Sequence, residues 1–121
     1  MDTWEHPRPP AGTITIAHEE PDLRVLCLRG EVDTAVATWF TRSQGRERVV
    51  VDAIDAEGVT FMSSSALALM LRCVEASVAA GRHPVLRAAS RQVERALQLA
   101  GIDRVFPRPA PDQARSQAPE A

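Results

Sequence analysis

Val59–Met70, VTFMSSSALALM, sets three serines between two apolar runs of different character. Val59, Phe61 and Met62 precede the serines in a strand-like pattern; Leu67, Leu69, Met70 and the following Leu71 continue in a helix-like one. Such flanks place the triplet at a sharp junction inside a folded domain. A strand ending at Phe61 or Met62 and a helix under way by Ala66 put Ser63, Ser64 and Ser65 at the helix N-terminus, where the first amides lack intrahelical partners and serine is a preferred cap. Two roles stay open for them. Either one serine caps the helix and the others are turn residues facing solvent, or the junction is a switch. The helix dipole and free amides would hold a phosphate there, and phosphorylation would add roughly 1.5 to 2 negative charges, enough to repel a docked partner.

Working outward from the junction, TITIAHE alternates and meets the turn-like EPD before LRVLCLRGEV, which predicts two strands and a short connection. Asp33 or Thr34 is placed to cap a short helix over TAVATWFTRSQG, with Val36, Trp39 and Phe40 on one face and Gly45 closing it. RVVVDAI is a β-branched run typical of a strand covered on both faces. Beyond the serines, Leu67, Met70, Leu71, Val74 and Val78 form a helical stripe, stopped by Gly81 and Pro84. PVLRAA is a further strand. Ser90 can cap RQVERALQLA, with Val93, Ala96, Leu97 and Ala100 inside and Gly101 at its end, and IDRVF is a last short strand or a docking segment. Strands alternating with helices predict an α/β fold: one mixed, mostly parallel sheet of about four strands with helices packed on it.

The length of 121 residues suits one domain, and an apolar share of 45% argues for a globular one. Pro7, Pro9, Pro10 and Gly12 at the start, and Pro107, Pro109 and Pro111 with the polar DQARSQAPEA at the end, mark a flexible tail over 1–12 and a disordered tail over 107–121 around a domain at 13–106. A net charge of −2 gives no field for nonspecific binding of nucleic acid or an anionic membrane. Cys27 and Cys73 both sit among apolar neighbours and are expected as buried thiols of a reducing compartment. No stretch has the roughly 18 apolar residues of a membrane span, so the expectation is a soluble cytoplasmic protein without membrane insertion.

Catalytic chemistry finds little to build on. His6, His18 and His83 are scattered without ligand spacing, which predicts no metal. No glycine-framed elbow surrounds the serines, as a hydrolase nucleophile would need, and no phosphate-cradling glycine loop is present. Arg87, Arg91 and Arg95 are either a basic patch or a solvated helix face. Asp33 is either a helix cap or part of a partner-contact surface.

In order along the chain, LRGEVD, a β-branched strand, GVTFMSSSALALML, AAGRHPVL and VERALQLAGIDRVF resemble the STAS domain of anti-sigma factor antagonists, from Arg24 to Phe106. In that family the loop has an aromatic, an aliphatic, Asp, a phosphorylated Ser, Ser or Thr, and Gly. Phe61 and Met62 match the first two, Ser64 the phospho-acceptor and Ser65 its neighbour, while Ser63 stands in place of the aspartate and Ala66 in place of the glycine. The resemblance implies a regulatory binding module and not an enzyme, with no cofactor. It would sequester an anti-sigma factor of histidine-kinase-like ATPase fold that phosphorylates Ser64, with Ser63 and Ser65 as alternative acceptors. Asp33, Met62, Ser63, Ser64, Ser65 and Ala66 would form the partner surface. The alternative is a STAS scaffold without a phosphorylation cycle, in a signalling complex or as an accessory subunit of a lipid transporter.

Overall fold

The structure, a computed structural model, describes residues 12–45 and 47–109. His6 and most of both expected tails lie outside these residues; of the tail spans, Gly12 opens the first strand and 107–109 follow the last turn. The chain forms β1 (Gly12–Glu19), β2 (Leu23–Val32), α1 (Thr34–Ser43), β3 (Ala53–Met62), α2 (Ser64–Ala79), β4 (Val85–Ala89), α3 (Arg91–Ala100) and a 3-10 turn over Asp103–Val105. The strands lie side by side in the order β1-β2-β3-β4. β1 is antiparallel to β2, and β3 and β4 run parallel to β2, so the sheet is mixed and mostly parallel, as the element order predicts.

Alternation decides what each strand buries. Ile14, Leu26, Leu28, Ile54, Val59 and Leu86 enter a single core together with Phe40 of α1, Met70 of α2, and Val93 and Leu97 of α3. All three helices therefore cover the same face of the sheet. The opposite face carries Thr13 beside Arg29, Thr15 beside Cys27, and Cys27 beside Asp55. Arg87 lies across that face, donating to Glu19 at 2.8 and 3.1 Å and to Asp55 at 3.3 Å. α3 ends at Gly101, whose φ of 72° is a left-handed conformation that glycine adopts without strain.

Five expectations need correction. RVVVDAI is not a strand throughout: β3 starts at Ala53, and 48–52 is an irregular connector with a bend at Asp52. Val51 is fully buried, yet its N–H donates to Ser77 Oγ (2.8 Å) rather than to a neighbouring strand. α2 is rotated from the expected stripe. Ala66, Leu69, Met70, Cys73, Val74 and Ser77 point inward, Leu67 and Leu71 are only partly buried, and Val78 is exposed. Trp39 is 65% exposed, because Val36, Ala37 and Phe40 already fill the inner arc of α1. In α3 only Val93 and Leu97 are buried; Ala100 is exposed. Arg87 belongs to β4 and the ion-paired face, so it makes no common patch with Arg91 and Arg95 of α3. IDRVF takes the docking alternative: Phe106 is buried, and Leu86 N–H donates to Pro107 O at 2.7 Å. Cys73 is buried and Cys27 partly so, both as free thiols.

Candidate functional site

Two parallel neighbours that each lead into a helix bring two helix N-termini to one edge of the sheet. β2 and β3 end in register, Val32 beside Met62, and the Ser63 N–H extends the ladder by donating to Val32 O at 3.0 Å. One residue further, both chains turn into helices. Asp33 caps α1, its Oδ1 accepting from Val36 N–H at 2.9 Å. Ser63 caps α2 in the same way, its Oγ accepting from Ala66 N–H at 3.2 Å. The capping alternative for Asp33 is thus realised, and the carboxylate stands at the same rim as the serines.

The three hydroxyls consequently have different situations. Ser63 is half-buried and occupied by the cap. Ser65 is half-buried, with its Oγ 3.3 Å from Thr34 Oγ1 at the start of α1, a hydrogen bond that ties the two helix ends together. Ser64 is exposed, and among the described residues its hydroxyl has no partner in the protein. It stands in the first turn of α2, where amide dipoles favour negative charge. Met62 is half-buried beneath the loop. Ala66 is fully buried, so its methyl supports the loop from the core side and offers no surface. Phe61 is 51% exposed on the outer side of β3, a large apolar group beside the junction.

Below this rim a groove of about 390 Å³ separates α1 from α2, lined by Ala37, Thr38, Thr41 and Arg42 on one side and Ser65, Ala68 and Arg72 on the other. Its only charged groups are the two arginines. The sequence offers Thr34 only as the alternative cap of α1, a role Asp33 takes, and it gives no sign of this groove. The signal for Thr34 was present in the element order, since the helices after two adjacent parallel strands must start side by side. The groove depends on the helix rotations, which the sequence leaves open.

Among the described residues no three His, Cys, Asp or Glu side chains gather as a metal would require. The strongly perturbed groups lie away from the rim. Burial pushes the Cys73 thiol up to about 11. For Asp52, burial works to raise the carboxyl, but the Arg24 N–H (2.9 Å) and the Arg82 guanidinium (2.7 Å) outweigh it and hold it below its ordinary value. These groups fasten the opposite end of the sheet.

Residues 15–114 match the STAS domain family. The chain belongs to that family. Among solved structures, the anti-sigma factor antagonist SpoIIAA in its unphosphorylated form matches this STAS domain with a TM-score of 0.61, over 87% of this chain and 95% of that one, at 20% sequence identity. At that identity the likeness establishes the fold. No curated protein matches the chain. Among the described residues no helix of this STAS domain is long and apolar enough to cross a membrane.

Proposed function

We propose that this STAS domain is a regulatory binding module of the anti-sigma factor antagonist kind, which performs no catalysis. In this reading it docks an anti-sigma factor of histidine-kinase-like fold in the cytoplasm, through the rim formed by Asp33, Met62 and Ser63–Ser65. The kinase activity of that partner phosphorylates Ser64 and so releases the complex. One observation carries the choice of acceptor: of three adjacent hydroxyls, only that of Ser64 is both exposed and uncommitted, since Ser63 holds the α2 cap and Ser65 meets Thr34. A phosphate there needs no rearrangement of the fold, and the α2 amides favour its charge. The likeness to SpoIIAA supports the choice of partner class.

Incubation with ATP and purified anti-sigma kinases, followed by mass mapping of the loop, tests the reading. A single phosphate on Ser64 is expected; phosphate on Ser63 or Ser65 instead would remove the basis for the assignment. A second reading rests on a specific feature, Ser63 in place of the family's aspartate. A loop without that charge suits a STAS scaffold that binds constitutively, in a signalling complex or beside a lipid transporter. Binding without any phosphate transfer would favour it.

A further inference from the structure

The sheet has two edges, and they differ. At the β4 edge, Leu86 N–H donates to Pro107 O at 2.7 Å, so the chain's own C-terminal segment covers part of it. β4 is also only 5 residues long, with a register shift against β3. β1 has 8 residues in unbroken register with β2, and among the described residues nothing pairs with its outer side. From Gly12 to Ala17 it has no charge, no proline and no bulge, the devices by which natural edge strands discourage pairing.

A second observation comes from α1, which packs over β1 and β2. Its flank toward α2 presents Ala37, Thr38 and Thr41. At about 100° per residue, Trp39 falls on the other flank, the one above the outer edge of β1. It is 65% exposed there.

We infer that a second copy of this chain pairs with this edge, β1 to β1 and antiparallel, joining the two sheets and burying Trp39 between the two α1 helices. The pleat restricts the register, since directly opposed residues must lie on the same face. A two-fold axis at Thr15 satisfies this. It sets Thr15 opposite its own copy and Thr13 opposite Ala17 on the helix-free face, and Ile14 opposite Ile16 on the core face. No two like charges meet, because His18 falls opposite Gly12 and Glu19 lies beyond the paired stretch. With the β4 edge partly covered, the assembly closes as a dimer.

Sedimentation equilibrium of the full chain provides the test, with an expected dimer dissociation constant of about 1 to 100 µM. Thr15→Lys sets two ammonium groups against each other on the axis, and Trp39→Glu removes the apolar anchor. Both positions are exposed, so circular dichroism should stay unchanged, as should Tm measured below the dissociation constant, while each dissociation constant rises by about tenfold or more. Mixing Thr15→Lys with Thr15→Glu should restore association as a heterodimer, an outcome that requires the axis at or beside Thr15. Hydrogen exchange of the β1 amides in the unsubstituted chain should slow with concentration, a readout that needs no variant. The inference is overturned by a chain that stays monomeric up to about 200 µM, by a dimer that both substitutions leave intact, or by charge variants that fail to associate when mixed.

Discussion

Replacing Ser63 with alanine removes the side chain that caps α2. Its Oγ accepts from Ala66 N–H at 3.2 Å, and Ala66 is fully buried, so water has poor access to take over that amide. Loss of a serine cap typically costs 0.5 to 2 kcal/mol. Burial of the orphaned N–H argues for the upper half of that range, about 1 to 2 kcal/mol. The Ser63 N–H to Val32 O bond belongs to the backbone and survives the substitution. Ser64→Ala should cost under about 0.5 kcal/mol, as expected for an exposed hydroxyl without a partner. Ser63→Asp, which installs the family's usual residue, keeps a capping oxygen and adds a favourable charge at the helix N-terminus, worth about 0.3 to 1 kcal/mol. Urea denaturation of the three variants gives these differences directly, and Tm should fall by about 4 to 8 °C per kcal/mol for a domain of this size. Equal losses for Ser63→Ala and Ser64→Ala would refute the division of roles among the serines.

Other expectations follow from the core and the ion pairs. Met70→Ala should destabilise by about 2 to 5 kcal/mol, because Met70 is fully buried, whereas Leu71→Ala should cost clearly less, as Leu71 is only partly buried; reversal of that order in denaturation would put α2 in the wrong rotation. Ser77→Ala should cost about 1 to 3 kcal/mol, since Ser77 Oγ bridges Val51 N–H (2.8 Å) and Cys73 O (2.6 Å) and its loss leaves a buried amide unpaired; an unchanged denaturation midpoint would contradict the bridge. Glu19 is held below its ordinary value chiefly by hydrogen bonds from Arg87, so its contribution is fully present above its unfolded pKa of about 4.3 and disappears as pH falls through the lower folded value. The stability gap between the unsubstituted protein and Glu19→Gln should thus be visible at neutral pH and close in acid; a gap that is constant with pH would exclude the linkage.

Much of this architecture could be written down from residue pattern alone, and the exceptions have physical causes. Gly81, Gly101 and the caps Asp33, Ser63 and Ser90 are local signals, and all mark helix ends in the structure. The rotation of α2 was not legible, because ALALMLRCV is apolar over most of its circumference and periodicity cannot choose a face. Trp39 misled for a related reason. Its spacing to Val36 fits a helical stripe, yet a short helix has room for one inner arc, and Ala37 takes the place beside Phe40. The start of β3 depended on Ser77, a residue 26 positions beyond Val51 that draws its amide out of the ladder. At the loop, the serine triplet announced a helix N-terminus. Which hydroxyl remained available depended on Thr34, 31 positions from Ser65 in the chain and adjacent to it only after folding.

Isothermal calorimetry with an anti-sigma factor of histidine-kinase-like fold tests most directly whether Ser64 is the control point. Wild type and Ser64→Ala should bind alike, because the hydroxyl is exposed and caps nothing. Ser64→Asp supplies about one of the roughly two charges of a phosphate and should weaken binding by about 30-fold, or about 2 kcal/mol, where that charge is desolvated without a cation. Equal affinity of all three proteins would contradict a switch at Ser64.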